Sequence, residues 1–505
     1  MSRLHFRDLY FGQASAETEV SRDPALFLRT FYDRWDITGR LREREFFLLV
    51  GPKGAGKTAI SEYIRLHLID THGQEHVFAR TLNLDEVSPG VSPLSSITSK
   101  LVSEQAAGVT DSAWRLFLNL RLFELLMQDA SCSITRDAQI IGLSKQLGDA
   151  GLTTSDFPTV LRRVRENKLS FALKGIFAGE TVAKQSEDVL VSALGVALER
   201  IVLEAQSDNH FTLSIDGLDR IIGDNHAYWL TLAALLRVGD TLHNRLRSAR
   251  ADVRFFVMCR SDVFRKISFA DSDKIAGDSA LFVDWGAQQT VPRDSPLWDY
   301  LASKAQVSPE SLFALFPDFV PVGNRSPSGP RRIRTVEYLI TSTRSTPREM
   351  TMLMRRLREE IPPNGYVTPE RVRSGVDYFA SRDLLTTVKA EATGILQLEL
   401  ADRLEDIISA LPSARDVTRQ DLEASVSAAG LPVSQTSELA EFLFMAGLLG
   451  NYDPHTDYVQ FYHRRDTYKF KRSGPWQLHR ALMYAFNVSY TRGAPSTGRS
   501  KGGSD

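Results

Sequence analysis

This 505-residue sequence has little cysteine and no excess of charge of either sign. Its only cysteines are Cys132 and Cys259. Two cysteines are too few for a disulfide framework or a four-cysteine metal site, so we expect a protein of a reducing compartment. Lys and Arg number 61 and Asp and Glu number 62. This balance argues against a chain coated in nucleic acid, although it is compatible with a local basic face.

Long apolar runs are also missing. No stretch approaches the roughly 20 apolar residues that a membrane-spanning helix needs, and the N-terminal MSRLHFRDLYFG lacks the apolar core of a secretion signal. We therefore expect a soluble, cytoplasmic protein with no membrane contact. Because 43% of the residues are hydrophobic over a chain of this length, the composition predicts real cores and two to four domains.

A glycine-rich motif, GPKGAGKT at Gly51–Thr58, is the most specific feature that is present. It follows an apolar run typical of a buried parallel strand and precedes a helical pattern. The pattern G-x-x-x-x-G-K-[ST] binds nucleotide phosphates because successive backbone N–H groups turn inward around them, which favours glycine. A chance match in a strand–turn–helix is the alternative. The predicted nucleotide-binding residues are Gly51, Pro52, Lys53, Gly54, Ala55, Gly56, Lys57, Thr58 and Ala59.

A nucleotide and Mg²⁺ are the cofactors that this motif predicts, and the motif does not distinguish ATP from GTP. Lys57 is expected to reach the β- and γ-phosphates, the Thr58 hydroxyl to bind Mg²⁺, and the helix N-terminus to favour the anion. The ten histidines show no metal-ligand spacing with acids or cysteines, so no further metal is predicted.

A second candidate element is FTLSIDGLDR, at Phe211–Arg220. Asp216 ends an apolar strand, where a carboxylate can support Mg²⁺, and Asp219 is placed to face an attacking water. A strand that ends in an ordinary Asp-Gly turn has the same pattern, so the element gains weight from the phosphate-binding loop beside it. The predicted metal-supporting residues are thus Thr58 and Asp216.

Two arginines complete the set of candidate catalytic residues, which is Lys57, Asp216, Asp219, Arg260 and Arg348. The strand VRFFVMCR delivers Arg260 to the sheet edge at which ligands bind in such folds. In TPREM, Pro347 begins a helix and places Arg348 in the first turn, where a cation is unfavourable unless an anion faces it. Both arginines are therefore candidate γ-phosphate sensors, and solvated surface arginines are the alternative.

The order of elements predicts an α/β fold with a three-layer parallel-sheet P-loop NTPase core, because strand patterns alternate with helices. The sequence texture suggests an N-terminal helical segment at 1–40, the core at 41–325 with a helical insertion at about 97–206, and a helical region at 326–412. A region of mixed helix and strand at 413–490 and a disordered tail at 491–505 follow. SPSGPRRIR at 326–334 is predicted to be a basic boundary loop, 384–411 a long helix, and WQLHRALMYAF a short helix.

These motifs together resemble the signal-transduction branch of the AAA+-related P-loop ATPases (STAND), which includes the NACHT, KAP and origin-recognition-like families. LSIDGLDR is similar to the NACHT Walker B, but Arg220 replaces its final acid and is closer to the KAP pattern. VMCRSD is similar to the strand-4 sensor arginine, and TPREM to the sensor 2 arginine of a lid helix. The resemblance implies that 326–412 is a helical lid and 413–490 a C-terminal winged-helix domain. Gly217 stands where a catalytic glutamate would follow Asp216, so the resemblance implies slow hydrolysis, use of Asp219, or stimulation by a partner.

The resemblance implies an ATP-dependent molecular switch that forms homo-oligomers and signals to a protein effector or sensor. By analogy with bacterial members of the group, it suggests a role in stress or anti-phage defence. The alternative is a DNA-binding, initiator- or loader-like ATPase that uses basic residues of its winged helix. Those residues, which otherwise belong to a solvated hairpin, are Arg464, Arg465, Lys469, Lys471 and Arg472. A nucleotide-binding scaffold with negligible hydrolysis is a third interpretation.

Overall fold

The structure, a computed structural model, describes residues 4–84, 106–153, 187–218, 226–267, 272–286, 291–326, 329–392, 395–464, 468–486 and 488. For 106–109, 187–190, 226–228, 323–326, 329–331 and 484 the description is of the backbone alone. The chain divides into two compact units. The P-loop unit comprises Val20–Arg29 and Asp33–Val283, and the second unit comprises Met1–Glu19, Thr30–Tyr32 and Asp284–Asp505.

A five-stranded sheet, in the order β2-β3-β4-β1-β5, forms the centre of the P-loop unit. The strands are β1 (Leu48–Gly51), β2 (Val77–Asn83), β3 (His210–Asp216), β4 (Asp252–Arg260) and β5 (Ala280–Phe282). All four neighbouring pairs are parallel, which confirms the α/β class predicted from the sequence. The helices of this unit are Pro24–Arg29, Ile37–Arg42, Lys57–His72, Ala106–Leu126, Ala138–Asp149, Glu187–Glu204, His226–Leu246, Ser261–Lys266 and Ser272–Asp278.

The strands are apolar because helices cover the sheet. Every residue of β1 is buried, and β3 buries five consecutive residues before Asp216. The helices Lys57–His72, Ala106–Leu126 and His226–Leu246 each pack on one or more of these strands. Parallel strands buried in this way read as continuous hydrophobic runs, and this is why the sequence pattern located them.

Two long helices of the predicted insertion, Ala106–Leu126 and Glu187–Glu204, pack closely along each other. Gly195 permits the approach, since a Cβ there would lie 3.1 Å from the backbone nitrogen of Leu116. The indole of Trp114 also donates a 2.9 Å hydrogen bond to the carbonyl of Thr231 in the neighbouring helix. Helical character within 97–206 is therefore confirmed where it is described, while 97–105 and 154–186 lie outside the described residues. The predicted domain boundaries stay predictions.

Helices dominate the second unit, and four of them begin with Ser or Thr followed by Pro. Ser295, Ser308, Thr346 and Thr368 each accept a hydrogen bond from a backbone N–H of the first turn, and proline at N1 has no N–H to satisfy. The helices are Pro296–Ala305, Pro309–Phe313, Thr335–Ile340, Pro347–Glu359, Pro369–Tyr378, Leu385–Ala392, Leu398–Asp402, Leu404–Ser409, Arg419–Ala428, Thr436–Met445 and Arg480–Ala485, with a π-turn at Phe379–Leu384. A further helix, Ala16–Arg22, lies near the N-terminus.

The C-terminal part of this unit has the element order of a winged helix. Helices Arg419–Ala428 and Thr436–Met445 are followed by an antiparallel sheet in the order β10-β8-β9. Its strands are β8 (Leu449–Asp453), β9 (Tyr458–Gln460) and β10 (Trp476–Leu478). Val417, just before the first helix, bridges to Trp476 and extends the sheet by one residue.

Three local predictions are wrong. The segment 326–334 is not a loop, because most of it forms an antiparallel hairpin of β6 (Phe319–Ser326) and β7 (Gly329–Arg334). The predicted long helix at 384–411 is three helices, since the apolar periodicity continues through breaks at Gln397 and Arg403, whose backbones are not helical. WQLHRALMYAF begins as a strand, because Trp476 pairs with Asn451 before the last helix starts.

A buried ion pair fixes the N-terminal segment within the second unit. The Lys304 ammonium donates a 2.6 Å hydrogen bond to Glu19, and the two residues are only 3% and 4% exposed. Burial lowers the pKa of Lys304, an effect that Glu19 opposes. Because the pair has little water around it, each charge depends on the other.

We predict that Lys304→Met alone destabilises the protein by about 3–5 kcal/mol, because it leaves the Glu19 carboxylate buried without an opposite charge. The double variant Lys304→Met/Glu19→Leu should recover most of this loss, since no charge is left behind. Urea unfolding followed by tryptophan fluorescence measures both. Equal losses in the single and double variants would contradict the prediction.

Candidate nucleotide-binding site

The glycine-rich loop turns tightly between β1 and the helix Lys57–His72. Gly54 and Gly56 have φ values of +80° and +100°, in the left-handed region that glycine tolerates best. Gly51 lies so close to the chain after β5 that a Cβ on it would be 2.7 Å from the carbonyl oxygen of Val283. The loop therefore uses glycine for two separate reasons, backbone conformation and close approach.

Lys57 is the first residue of the helix, and its side chain folds back over the loop. Its ammonium donates hydrogen bonds of 2.9 Å and 3.2 Å to the carbonyls of Gly51 and Pro52. A cation is thus held beside the loop, at the N-terminus of a 16-residue helix. Both the charge and the helix dipole favour an anion at this place.

Thr58 and Asp216 meet at the carboxyl edge of the sheet. The Thr58 hydroxyl donates a 3.1 Å hydrogen bond to one carboxylate oxygen of Asp216, and the backbone N–H of Gly217 donates to the other at 2.8 Å. Oxygen ligands of Mg²⁺ bind at 2.0–2.1 Å in octahedral geometry, so adjacent ligands are about 2.9 Å apart. The spacing of these two oxygens therefore fits neighbouring positions around one Mg²⁺.

A buried serine pair supports this geometry and was missed from the sequence. The hydroxyls of Ser61 and Ser214 are 2.6 Å apart and join the helix to β3. Ser214 lies two residues before Asp216, so both side chains point to the same face of the sheet. Only the strand period combined with the helix position could have indicated the pairing, since neither serine belongs to a motif.

Arg260 ends β4 directly beside the loop, with Gly51 as its partner in the strand register. Its guanidinium binds Asp262 through two hydrogen bonds of 3.0 Å and 2.6 Å. Burial alone would raise the pKa of Asp262, but the Arg260 charge and hydrogen bonds hold it below its usual value. The sequence analysis missed Asp262 as this partner, although the Arg-Ser-Asp spacing was visible.

The remaining candidates belong to the second unit or lie outside the described residues. Arg348 belongs to the second unit, where its Nε donates a 3.1 Å hydrogen bond to the carbonyl of Ala14. The sensor role of this first-turn arginine stays a prediction. Asp219 and Arg220 lie outside the described residues.

The described residues contain no group of three or more His, Cys, Asp or Glu side chains that could hold a metal ion. Among the described residues, Thr58 and Asp216 are therefore the oxygen ligands that this place offers to a Mg²⁺. None of the described helices has the length and apolarity to cross a membrane. A parallel sheet, a glycine-rich loop after β1 and this hydroxyl–carboxylate pair define the fold of a P-loop NTPase core.

Comparison with known proteins adds little to this result. No protein-family profile matches the chain, and no curated protein does. Among solved structures, the Aeropyrum pernix Orc1 protein in complex with DNA is 14% identical, with 93% of this chain and 95% of that chain covered at a TM-score of 0.40. Cdc6p from Pyrobaculum aerophilum is 13% identical, with 87% of this chain and 93% of that chain covered at a TM-score of 0.28. Likeness at these scores carries no argument about function.

We predict that Gly56→Ala costs about 1–2 kcal/mol of stability and greatly weakens nucleotide binding, because a Cβ is unfavourable at this φ. The site has room for the methyl group, whose nearest neighbour would be 3.9 Å away, so the effect is one of backbone conformation. Gly142→Ala is the matched control, since no atom lies within 4 Å of its Cβ position in the helix Ala138–Asp149. It should stabilise the protein by about 0.5–1 kcal/mol and leave nucleotide binding unchanged. Thermal unfolding and fluorescent-nucleotide titration check both variants, and normal binding by Gly56→Ala would contradict the prediction.

Proposed function

We propose that this chain is an ATPase whose P-loop unit binds Mg²⁺-ATP and hydrolyses it slowly. The observation that carries the proposal is the 3.1 Å contact of Thr58 with Asp216 beside the glycine-rich loop. A chance glycine-rich turn has no reason to place a hydroxyl that directly follows a lysine against a carboxylate from a distant strand. The pair is what a magnesium-bound triphosphate requires of the protein.

In the proposed reaction, loop N–H groups and Lys57 bind the phosphates. Thr58 and Asp216 would hold a Mg²⁺, which would supply neutralisation of the charge that develops on the phosphate oxygens. Arg260 stabilises the same charge from the end of β4, and Asp219 orients a water for attack on the γ-phosphorus. The bond to the bridging oxygen breaks as the bond to water forms, so the products are ADP and inorganic phosphate.

Slow turnover follows from the residue next to Asp216. Gly217 occupies that position and supplies only a backbone N–H, which donates to the Asp216 carboxylate. Without a carboxylate there, activation of water falls to Asp219 or to a group from another chain. Slow hydrolysis suits a molecular switch that persists in its ATP state, assembles into homo-oligomers and signals to a protein partner. A bacterial stress or anti-phage role for such a switch is an analogy with the families it resembles.

The first test separates metal-dependent from metal-independent nucleotide binding. We predict that Asp216→Asn weakens ATP binding tenfold or more with Mg²⁺ present and about twofold or less in EDTA, because the carboxylate acts through the metal. Isothermal titration of a non-hydrolysable ATP analogue, with and without Mg²⁺, measures this. Asp278→Asn, an exposed carboxylate in a helix of the same unit, is the control and should leave both affinities unchanged. Equal losses of affinity with Mg²⁺ and in EDTA would contradict the assignment of Asp216 as a Mg²⁺ ligand.

A second candidate use of the nucleotide state is DNA handling by the winged helix, as in an initiator- or loader-like ATPase. The observation that favours it is the exposure of the basic residues Arg464, Lys469, Lys471 and Arg472 in the wing, between β9 and β10. Arg465 lies outside the described residues. Lysines and arginines in such a position neutralise phosphates and release counterions.

We predict that the protein binds a 30-base-pair duplex in low salt and that Lys469→Ala/Lys471→Ala weakens this binding at least tenfold. Loss of two phosphate contacts should also reduce the slope of log affinity against log salt by about 2. Fluorescence anisotropy at several salt concentrations measures both quantities. Arg371→Ala/Arg373→Ala, which removes two charges from the helix Pro369–Tyr378, is the control. A wild-type protein that does not bind duplex would exclude DNA handling and leave the ATPase proposal standing.

A further inference from the structure

The second helix of the winged-helix pair, Thr436–Met445, exposes acidic side chains where a DNA-reading helix is expected to expose basic or amide side chains. Its sequence is TSELAEFLFM, and its exposed residues are Ser437, Glu438 and Glu441. The remaining positions are buried, apart from a half-buried Met445, and they face the core of the domain. This helix therefore offers two carboxylates and one hydroxyl to its surroundings.

Two arginines that contact this helix also contact carboxylates. Arg472 contacts Glu441 at 3.3 Å, but the two side chains are 77% and 53% exposed, so water screens the contact and both charges stay open to a ligand. Arg419, at the start of the preceding helix, binds Glu423 at 2.8 Å and the Ser437 hydroxyl at 3.2 Å. The Arg419 charge is thus compensated by Glu423, and the face presented by Glu438 and Glu441 is not positive.

The wing segment Tyr468–Arg472 differs, because its backbone is fixed and both of its lysines are exposed. The side chain of Asn451 donates to the carbonyl of Lys469 at 2.8 Å and accepts from the N–H of Lys471 at 2.9 Å. Phe470, between the two lysines, stacks on the buried Trp476, with ring centroids 5.6 Å apart and an interplanar angle of 19°. The segment is therefore anchored through its main chain and Phe470, while Lys469 and Lys471 remain exposed.

This segment is built to present charge. The binding free energy of contacts to DNA phosphates is reduced when flexible groups must be ordered on binding. A backbone that is already fixed lowers this entropic cost. Carboxylates brought next to the phosphates have the opposite effect, since like charges repel across the short distances of a groove. The wing therefore attracts a duplex, and the helix face opposes its entry.

We infer that the winged helix contacts duplex DNA through the wing alone, by phosphate binding without sequence readout, and that Glu438 and Glu441 keep the helix out of the major groove. The inference rests on the proposed DNA-handling use and names its substrate class as duplex of any sequence. A glutamate carboxylate can accept a hydrogen bond from the amino group of cytosine, so a helix that reads bases is the competing interpretation. The two differ in the sign of the effect when the carboxylates are neutralised.

The test uses the double variant Glu438→Gln/Glu441→Gln in the full-length protein. Fluorescence anisotropy measures its affinity, and that of the wild-type protein, for a 30-base-pair duplex and for a shuffled duplex of the same composition. We expect the variant to bind both duplexes about three- to tenfold more tightly at low salt, because two repelling charges are removed. Wild-type protein should bind the two duplexes within about twofold, with a salt slope between about −2 and −3, as two or three phosphate contacts give. The charge-matched control is Glu310→Gln/Glu370→Gln, two exposed glutamates on helices outside the winged helix. It should change the affinity much less.

Three results would overturn the inference. A tenfold or greater sequence preference that the Glu438→Gln/Glu441→Gln variant loses would show that the helix reads bases. Unchanged or weaker binding by this variant, or a gain equal to that of the control pair, would show that the two carboxylates do not oppose the duplex. A wild-type protein with no duplex binding would overturn both this inference and DNA handling. That last outcome differs from the first two, because in those the wild-type protein binds.

Discussion

The parallel arrangement of β1, β3 and β4 is the constraint on which the candidate site depends. Parallel strands bring their carboxyl ends to one edge, and the register places Gly51 beside Arg260. β4 lies between β1 and β3, so Asp216 is two strands away from the loop. The first turn of the helix Lys57–His72 closes this distance, because Thr58 projects from it to Asp216 at 3.1 Å. One hydrogen bond thus joins two motifs that are 158 residues apart in sequence.

The two candidate sensor arginines are held by very different interactions. Arg260 makes two charge-assisted hydrogen bonds with Asp262 in a partly buried place, whereas Arg348 makes one with a main-chain carbonyl. Bidentate arginine–carboxylate pairs are the stronger class, so Arg348 can be released at a lower free-energy cost than Arg260. A ligand shifts a conformational equilibrium only by the difference in its affinity for the two states. Of the two arginines, Arg348 is therefore the one better suited to change partners, and Arg260 the one better suited to remain a fixed charge.

Local requirements explain how much of the fold and site the sequence revealed. The loop at Gly51–Thr58 was visible because left-handed backbone needs glycine, and Asp216 because it is a carboxylate at the end of a mostly apolar strand. The Ser61–Ser214 pair depends on which strand faces which helix, and no local pattern carries that information. The Asp262 partner of Arg260 lies only two residues away and was overlooked, although its spacing is local. The hairpin of β6 and β7 was taken for a loop because Pro, Gly and Ser suppress strand propensity, which cross-strand pairing can override. The three helices of 385–409 were merged because one apolar stripe continues across their breaks.

The net charge of −1 does not show how opposite charges are distributed within the proposed winged-helix domain. Electrostatic interaction in water weakens beyond the Debye length, which is about 8–10 Å at moderate salt. What a duplex experiences is therefore the charge of the few side chains near its phosphates, and the total over 505 residues has little influence. Within one small domain, Asn451 fixes the main chain of the exposed Lys469 and Lys471, while Glu438 and Glu441 lie on the helix Thr436–Met445. In the proposed DNA-handling use, this separation of opposite charges would select the orientation in which a duplex approaches, without any base contact.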